Sequence, residues 1–181
     1  MLPLQLAWAI FWSVFVLNHV RNRKSSPPKE NRIRRDRSSD LGMALQGLGI
    51  FIAFLRPGSP RDHLLPYSLA LAAAAILYTN SALRHLGRQW RVTAVVTDDH
   101  ELITTGPYSV IRHPIYLGVL AMLSATLLLR THPYAIAPAL LTYLAGTEIR
   151  IRAEENLLSH AFPAAFPPYR ARTSAYLPFL R

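Results

Sequence analysis

The sequence predicts an all-α integral membrane protein with about five transmembrane helices, the last two forming a tight helix hairpin, and with a C-terminal cytoplasmic cap. Hydrophobic residues make up 51% of the 181 residues and charged residues only 17%, whereas soluble domains carry about 25% charged residues. The apolar residues also occur in continuous blocks, which favours membrane helices over the period-two alternation of a membrane barrel.

Five apolar blocks follow one another along the chain, at residues 2–20, 41–55, 65–86, 115–129 and 134–147. A spanning helix needs about 20 mostly apolar residues, so the first and third blocks are long enough and the other three are short. The first block precedes Arg21, Arg23 and Lys24 rather than a small-residue cleavage site, so we interpret it as a retained helix and not a signal peptide. Only four residues separate the last two blocks, which predicts the hairpin.

Two regions are expected. Residues 1–85 would hold the N-terminal transmembrane helices and a basic loop at 21–40, and residues 86–181 the hairpin and the cap. The basic loop has two interpretations, a solvated linker or a segment that binds anionic lipid headgroups.

Charge placement predicts the orientation. With the N-terminus outside, seventeen of the 20 Lys and Arg residues fall on the cytoplasmic side, and only Arg56, Arg61 and Arg130 fall outside, as the positive-inside rule requires. This distribution explains the net charge of +10 without nucleic acid, for which no binding motif is visible. Cysteine is absent, so no zinc-thiolate site is possible, and we predict no metal site.

Residues 100–118 are the first stretch that indicates chemistry. Pro114 follows Arg112 and His113 and stands where a helix would begin, and free N–H groups at a helix start favour anions. Each residue also has a plainer interpretation. Tyr108 and Tyr116 are typical of interfacial aromatics, and Arg112 of the positive-inside rule.

Residues 148–158 are the second stretch. They follow the fifth block with no helix breaker, so the helix is expected to continue, and Arg150 and Glu154 would share one face. An intrahelical ion pair and a functional pair are both compatible with this spacing. The aromatic, basic and Pro-rich tail at 160–172 is expected to form the cap or an interfacial anchor.

The order of these motifs resembles the isoprenylcysteine carboxyl methyltransferase family and the related phospholipid methyltransferases. The pattern is Gly-x-Tyr at 106–108, Arg-His-Pro-x-Tyr at 112–116, a hairpin, Arg-x-x-x-Glu-Glu at 150–155, and an ending at Leu177-Pro178-Phe179. The resemblance runs from about Leu86 to the C-terminus, and it implies that residues 86–181 are a cofactor-binding catalytic region. Residues 1–80 match only in being membrane helices.

The resemblance implies S-adenosyl-L-methionine as cofactor and assigns roles by position. Arg150 would be the catalytic residue facing the methyl acceptor. The implied cofactor-binding residues are His100, Glu101, Leu102, Ile103, Tyr108, His113, Pro114, Ile115, Tyr116 and Glu154.

The implied function is methylation of a carboxylate on a lipophilic acceptor, a small molecule or a prenylated substrate, by an enzyme embedded in membrane lipids. A carboxylate with a pKa near about 4 is ionised at neutral pH, so positioning and the exclusion of water would be the protein's main tasks. An amine N-methyltransferase acting on phospholipids is the alternative within the class, and it would need a base such as Glu155 or His113. A related NADPH-dependent sterol reductase and a non-enzymatic lipid-binding protein are the alternatives outside it.

Overall fold

A computed structural model describes residues 2–23, 32–55, 57–97 and 100–177. These residues form six α-helices, with bounds α1 Leu2–Arg23, α2 Ser38–Leu55, α3 Leu65–Leu86, α4 Pro114–Arg130, α5 Pro133–Ala161 and α6 Phe166–Arg172. Short 3₁₀ turns at Asp62–Leu64, Gly87–Gln89 and Gly106–Ser109 complete the helical structure. The fold is that of the all-α membrane protein that the composition predicts.

Three helical stretches in the described part of the chain are long and apolar enough to cross a membrane. They are Leu2–Asn22, Ser38–Leu55 and Asp62–Gln89, and α4 is a shorter apolar helix. The second block is longer than its apolar residues alone indicate, because Ser38, Ser39 and Asp40 add a polar first turn to α2.

The segment 21–40, expected to be a loop, contains regular structure at both ends and a short strand. Helix α1 continues to Arg23, strand β1 covers Arg32–Arg35, and α2 begins at Ser38. Strand β1 pairs antiparallel with β2, Val95–Thr97, with an irregularity between Arg32 and Arg34. The pairing brings the first polar segment to the residues that follow α3, a contact between distant positions that local sequence patterns do not encode. The dipeptide Ser25-Ser26 and the rest of 24–31 lie outside the described residues.

The last two long helices are joined as tightly as predicted, since α4 ends at Arg130 and α5 begins at Pro133. Each nevertheless packs mainly on another helix, α5 along α2 and α4 along α3, while α1 packs on α3. At the connection, Arg61 donates to the carbonyl oxygens of Leu127 and Leu128 at 3.2 and 2.9 Å. These bonds satisfy carbonyl groups that the end of α4 leaves without helical partners.

Helices α2 and α5 approach each other closely at Gly42 and Gly146. A Cβ atom on Gly42 would lie 2.6 Å from the Gly146 carbonyl oxygen and 2.6 Å from Cγ of Arg150. A Cβ on Gly146 would lie 2.5 Å from the Gly42 carbonyl oxygen. Small residues let helix backbones approach closely in membranes, and here the approach holds Arg150 against α2.

Candidate active site

The first wall of the site is the turn at 106–113, and glycine is required at its start. Gly106 has a φ of +59°, a conformation that residues with a Cβ rarely adopt, and a Cβ there would also lie 2.3 Å from the ring of His85. The turn continues into a 3₁₀ segment that buries Tyr108. Pro114 then begins α4, where its missing N–H costs no helical hydrogen bond.

The C-terminal segment is fastened to this turn by backbone hydrogen bonds. The N–H of Arg112 donates to Ser174 O at 2.9 Å, and the N–H of His113 donates to Ala175 O at 2.8 Å. The Tyr169 hydroxyl of α6 donates to the carbonyl of Tyr108 at 2.7 Å. The tail is therefore packed against the site, as a cap would be. Pro178 and Phe179 of the expected ending lie outside the described residues.

The second wall is the polar end of α5, which continues through Ala161 as the sequence predicts. Arg150 and Glu154 share one face, with Nη2 of Arg150 3.5 Å from Oε1 of Glu154. Arg150 also donates from Nε to the Tyr116 hydroxyl at 2.7 Å and from Nη2 to the Val92 carbonyl at 2.8 Å. The Tyr116 hydroxyl in turn donates to Glu154 Oε1. The intrahelical ion pair is thus one part of a larger network that joins α4 and α5.

A second network lies beside the first. The Arg112 guanidinium donates from Nε to Oε1 of Glu155 at 2.8 Å, and Nε of Arg170 lies 3.2 Å from Oε2 of Glu155. Arg112 also donates from Nη1 to the carbonyl oxygens of Arg170 and Thr173. Buried charges are tolerated when they are paired and hydrogen-bonded in this way. Arg112 therefore joins the turn, α5 and the tail.

His113 lies between the two glutamates. Its Nδ1 is 3.3 Å from Oε2 of Glu154, and its Nε2 is 3.5 Å from Oε1 of Glu155. Burial lowers the pKa of the His113 imidazole, but the hydrogen bonds and negative charges of Glu154 and Glu155 outweigh burial and hold the pKa above its usual value. His113 therefore lies within 3.5 Å of a carboxylate of each network.

The two walls border a cavity of about 570 Å³, within the 300–1,000 Å³ range of ligand pockets. All residues that the sequence analysis assigned to the site line this one cavity: His100, Glu101, Leu102, Ile103, Tyr108, His113, Pro114, Ile115, Tyr116, Arg150 and Glu154. The motifs at 100–116 and 150–154, which most of α4 and the first half of α5 separate in sequence, are thus brought together.

Tyr108 supplies an unpaired polar atom at this cavity. Its side chain is 6% exposed, and its hydroxyl has no hydrogen-bond partner among the described residues. Burial and the nearby Glu154 carboxylate raise the pKa of the Tyr108 hydroxyl well above its usual value, so it stays protonated. A buried hydroxyl without a partner is costly, and a polar group of a bound ligand would satisfy it.

Comparison with known proteins identifies the family. The family model described as the isoprenylcysteine carboxyl methyltransferase (ICMT) family matches residues 68–160, just over half of the chain. The chain belongs to this family. The match covers the 3₁₀ turn at Gly106–Ser109, the hairpin and the polar end of α5, which form the two walls of the cavity.

Several curated proteins are also similar to this chain. A protein-S-isoprenylcysteine O-methyltransferase of Saccharomyces cerevisiae is 30% identical over 133 residues, covering 67% of this chain and 56% of that protein. A nickel-cobalt-cadmium resistance protein of Alcaligenes xylosoxydans xylosoxydans is 36% identical over 121 residues, covering 62% and 52%. A cobalt-zinc-cadmium resistance protein of Cupriavidus metallidurans is 38% identical over 105 residues, covering 55% and 46%. The chain therefore spans about half the length of the curated relatives it matches.

The cavity is also lined by residues that sequence reasoning did not find. Trp12 and Phe15 contribute from α1, and α2 contributes Met43, Gln46, Gly47 and Ile50. The segment between α3 and β2 adds Trp90 and Val92 among others, and the tail adds Tyr169. In a membrane helix an apolar face that meets lipid and one that meets a cavity have the same composition, so these positions carried no local signal. Gln46 is the exception, because a polar side chain within an apolar helix favours an internal position.

Proposed function

We propose that this protein is an S-adenosylmethionine-dependent membrane methyltransferase that methylates a carboxylate on a lipophilic acceptor. One observation carries the proposal: the Arg112–Tyr116 segment and the Arg150–Glu154 face of α5 line the same cavity. The chain that forms this cavity is a member of the ICMT family. Membership alone does not assign an activity, since relatives with methyltransferase and metal-resistance names both match.

The cavity suits a cofactor with a nucleoside and a charged amino-acid portion. Its lining combines apolar side chains with the Glu154 carboxylate, the free Tyr108 hydroxyl and the Tyr116 ring. A carboxylate and aromatic rings attract cationic groups, and the hydroxyl can hydrogen-bond a polar edge. We assign the ten cofactor positions given above to this ligand, which when bound supplies a methyl group activated on sulfonium.

Arg150 is proposed as the residue that orients the acceptor. Its Nε and Nη2 atoms are held by Tyr116 and Val92, so the guanidinium is fixed before a ligand arrives, and fixed donors contribute more to catalysis than mobile ones. A carboxylate acceptor needs no general base, because it is already ionised at neutral pH. The chain's contribution is then alignment of the acceptor oxygen with the methyl carbon and exclusion of water by the tail.

The same proposal includes an orientation. We place the N-terminus outside and the C-terminus and active site in the cytoplasm, because seventeen of 20 Lys and Arg residues then lie on the cytoplasmic side. The charged networks of Arg112 and Glu155 would lie at that membrane boundary, where water and headgroups can solvate their exposed partners.

Two measurements on detergent-purified, folded protein test the proposal. Calorimetry should detect binding of S-adenosylmethionine or its demethylated product. A transfer assay with methyl-labelled cofactor should then label a carboxylate in a panel of prenylcysteine analogues, fatty acids and phospholipid amines. Binding of neither nucleoside would remove the proposal. Label only on phospholipid amines would mean that the acceptor is an amine and not a carboxylate. Lipid binding that survives simultaneous substitution of Arg150, His113 and Glu154 would favour a non-enzymatic role.

A further inference from the structure

Gln46 is a polar side chain within the apolar helix α2, and its position is fixed by α5. Its Nε2 atom donates to Oγ1 of Thr147 at 2.9 Å, and Thr147 donates its own hydrogen to the Tyr143 carbonyl at 2.9 Å. Because the Thr147 hydrogen is already used, its oxygen accepts from Gln46, and the amide of Gln46 is oriented with nitrogen toward α5.

The amide keeps unused hydrogen-bonding capacity. A Gln side chain has two N–H donors and a carbonyl with two lone pairs, and the bond to Thr147 is its only hydrogen bond to a described residue. The side chain lines the cavity. A polar group within a membrane helix is costly unless partners are present, so the remaining N–H and Oε1 indicate a ligand contact.

Space for that ligand lies beside Gln46. Met43, Gln46, Gly47 and Ile50 all line the cavity, and their i, i+3, i+4, i+7 spacing places them on one helix face. A Cβ built on Gly47 would meet no atom within 4 Å, so the volume next to Gln46 is open. Gln46 is the one polar side chain of this four-residue face.

Arg150 lines the same cavity about one helical turn farther along α5. It is three residues from Thr147, an axial rise of about 4.5 Å. Its Nε and Nη2 atoms have partners, whereas its Nη1 makes no hydrogen bond to the described residues. Both side chains line one cavity and each has an N–H without a partner among the described residues. Two such donors, one of them on a cation, suit an anionic group.

We propose that Gln46 is an acceptor-binding residue, which together with Arg150 holds the carboxylate of the lipophilic acceptor. The inference rests on the proposed methyl transfer, and it adds a residue of α2, outside the part of the chain that carries the family motifs. The apolar neighbours Met43 and Ile50 would then contact the lipophilic part of the same acceptor.

Methyl-transfer kinetics of the protein in detergent or nanodiscs test this inference. The acceptor is the carboxylate compound that the transfer assay identifies. Gln46→Leu should lower kcat/KM for the acceptor about 10- to 100-fold, as expected when a hydrogen bond to a charged group is lost. Its Kd for the demethylated cofactor should stay within about twofold of wild type, whereas the loss of a cofactor contact would weaken that binding. Gln46→Glu should lower transfer further as pH rises, because the new carboxylate repels the acceptor.

Asn18→Leu is the matched control. It removes an amide from another membrane helix, where Asn18 contacts Asn80 at 3.2 Å, and it should leave acceptor kinetics unchanged. An acceptor kcat/KM of Gln46→Leu within about twofold of wild type would overturn the inference while leaving the methyltransferase proposal intact. So would a cofactor Kd that weakens in parallel with the acceptor kcat/KM. No transfer by wild-type protein to any acceptor would instead remove the proposed function itself.

Discussion

Arg112 and Glu155 form a buried ion pair, with Nε of Arg112 2.8 Å from Oε1 of Glu155 and side-chain exposures of 3% and 5%. The pair joins the turn before α4 to the polar end of α5, and the additional bonds of Arg112 to the tail make the cap part of the same unit. The cavity walls are thus held by charges that are expensive to separate, because one partner alone would remain buried and unpaired.

This pair gives a pH dependence of stability. Burial raises the pKa of the Glu155 carboxyl, but the hydrogen bonds and charges of His113 and Arg112 outweigh it and lower the pKa from 4.5 to about 2. A carboxyl whose pKa is depressed by folding contributes stability that is fully present above its unfolded pKa and is lost as pH falls through the folded pKa. We therefore expect that contribution to decline between about pH 5 and pH 2.

Thermal unfolding of wild type and Glu155→Gln, followed in detergent from pH 7 to pH 3, measures this. The Tm difference between them should be large at pH 7 and shrink toward pH 3. Glu148→Gln, which alters an ion pair of Arg152 near the surface, should show no such convergence. A constant difference across the range would mean that Glu155 does not titrate as described.

Glu154→Gln tests the cofactor assignment. The substitution removes the charge that faces His113 and Arg150 while keeping the side-chain size. We expect affinity for S-adenosylmethionine to fall about tenfold or more, the cost of a lost charge-assisted contact. Calorimetry with Glu148→Gln on the same helix as control measures it. Wild-type affinity in both Glu154→Gln and His113→Ala would remove the site assignment.

Arg150→Lys tests the proposed orienting residue. Lysine keeps the charge but cannot donate simultaneously from the Nε and Nη2 positions that bind Tyr116 and Val92. We expect the methyl-transfer rate to fall about 100-fold, about 2.7 kcal/mol of transition-state stabilisation. Arg152→Lys is the matched control, since Arg152 is exposed on the same helix and pairs with Glu148. Equal losses in both variants would contradict the assigned role.

Gly42→Ala tests the close approach of α2 and α5. The new Cβ would lie 2.6 Å from both the Gly146 carbonyl oxygen and Cγ of Arg150, and the backbone oxygen cannot move away without shifting a helix. We expect a loss of about 1–3 kcal/mol in unfolding free energy, as for other overpacked positions. Thermal unfolding should show a lower Tm.

Gly47→Ala is the control on the same helix. Its Cβ meets no atom within 4 Å, and alanine is favoured over glycine in a helix by about 0.5–1 kcal/mol, so Tm should not fall. If Gly42→Ala were equally harmless, the helix approach would be looser than described.

The orientation can be measured by cysteine labelling, because the chain contains no cysteine. Ser59→Cys and Ala164→Cys place a thiol in exposed segments after α2 and after α5. A membrane-impermeant maleimide should label Ser59→Cys in intact cells and Ala164→Cys only after permeabilisation. Wild type gives the background, and the reverse pattern would invert the proposed topology.

The sequence by itself determined the all-α membrane fold and the two motif segments that line the cavity. Continuous apolar blocks predict helices because lipid offers the backbone no other partners. Pro114 marks the start of α4, and the lack of a helix breaker after Thr147 predicts that α5 continues. The family motifs also selected the residues that line the cavity from 100 to 116 and at 150 and 154.

Only the tertiary structure decided which helices face each other and what completes the cavity. The pairing of β1 with β2, the packing of α5 on α2 rather than mainly on α4, and the lining by Trp12 and Gln46 all join positions far apart in sequence. Lipid and a neighbouring helix are equally apolar, so hydrophobicity alone cannot choose between them. The choice is made by close packing at positions such as Gly42 and by long-range pairs such as Arg112 with Glu155.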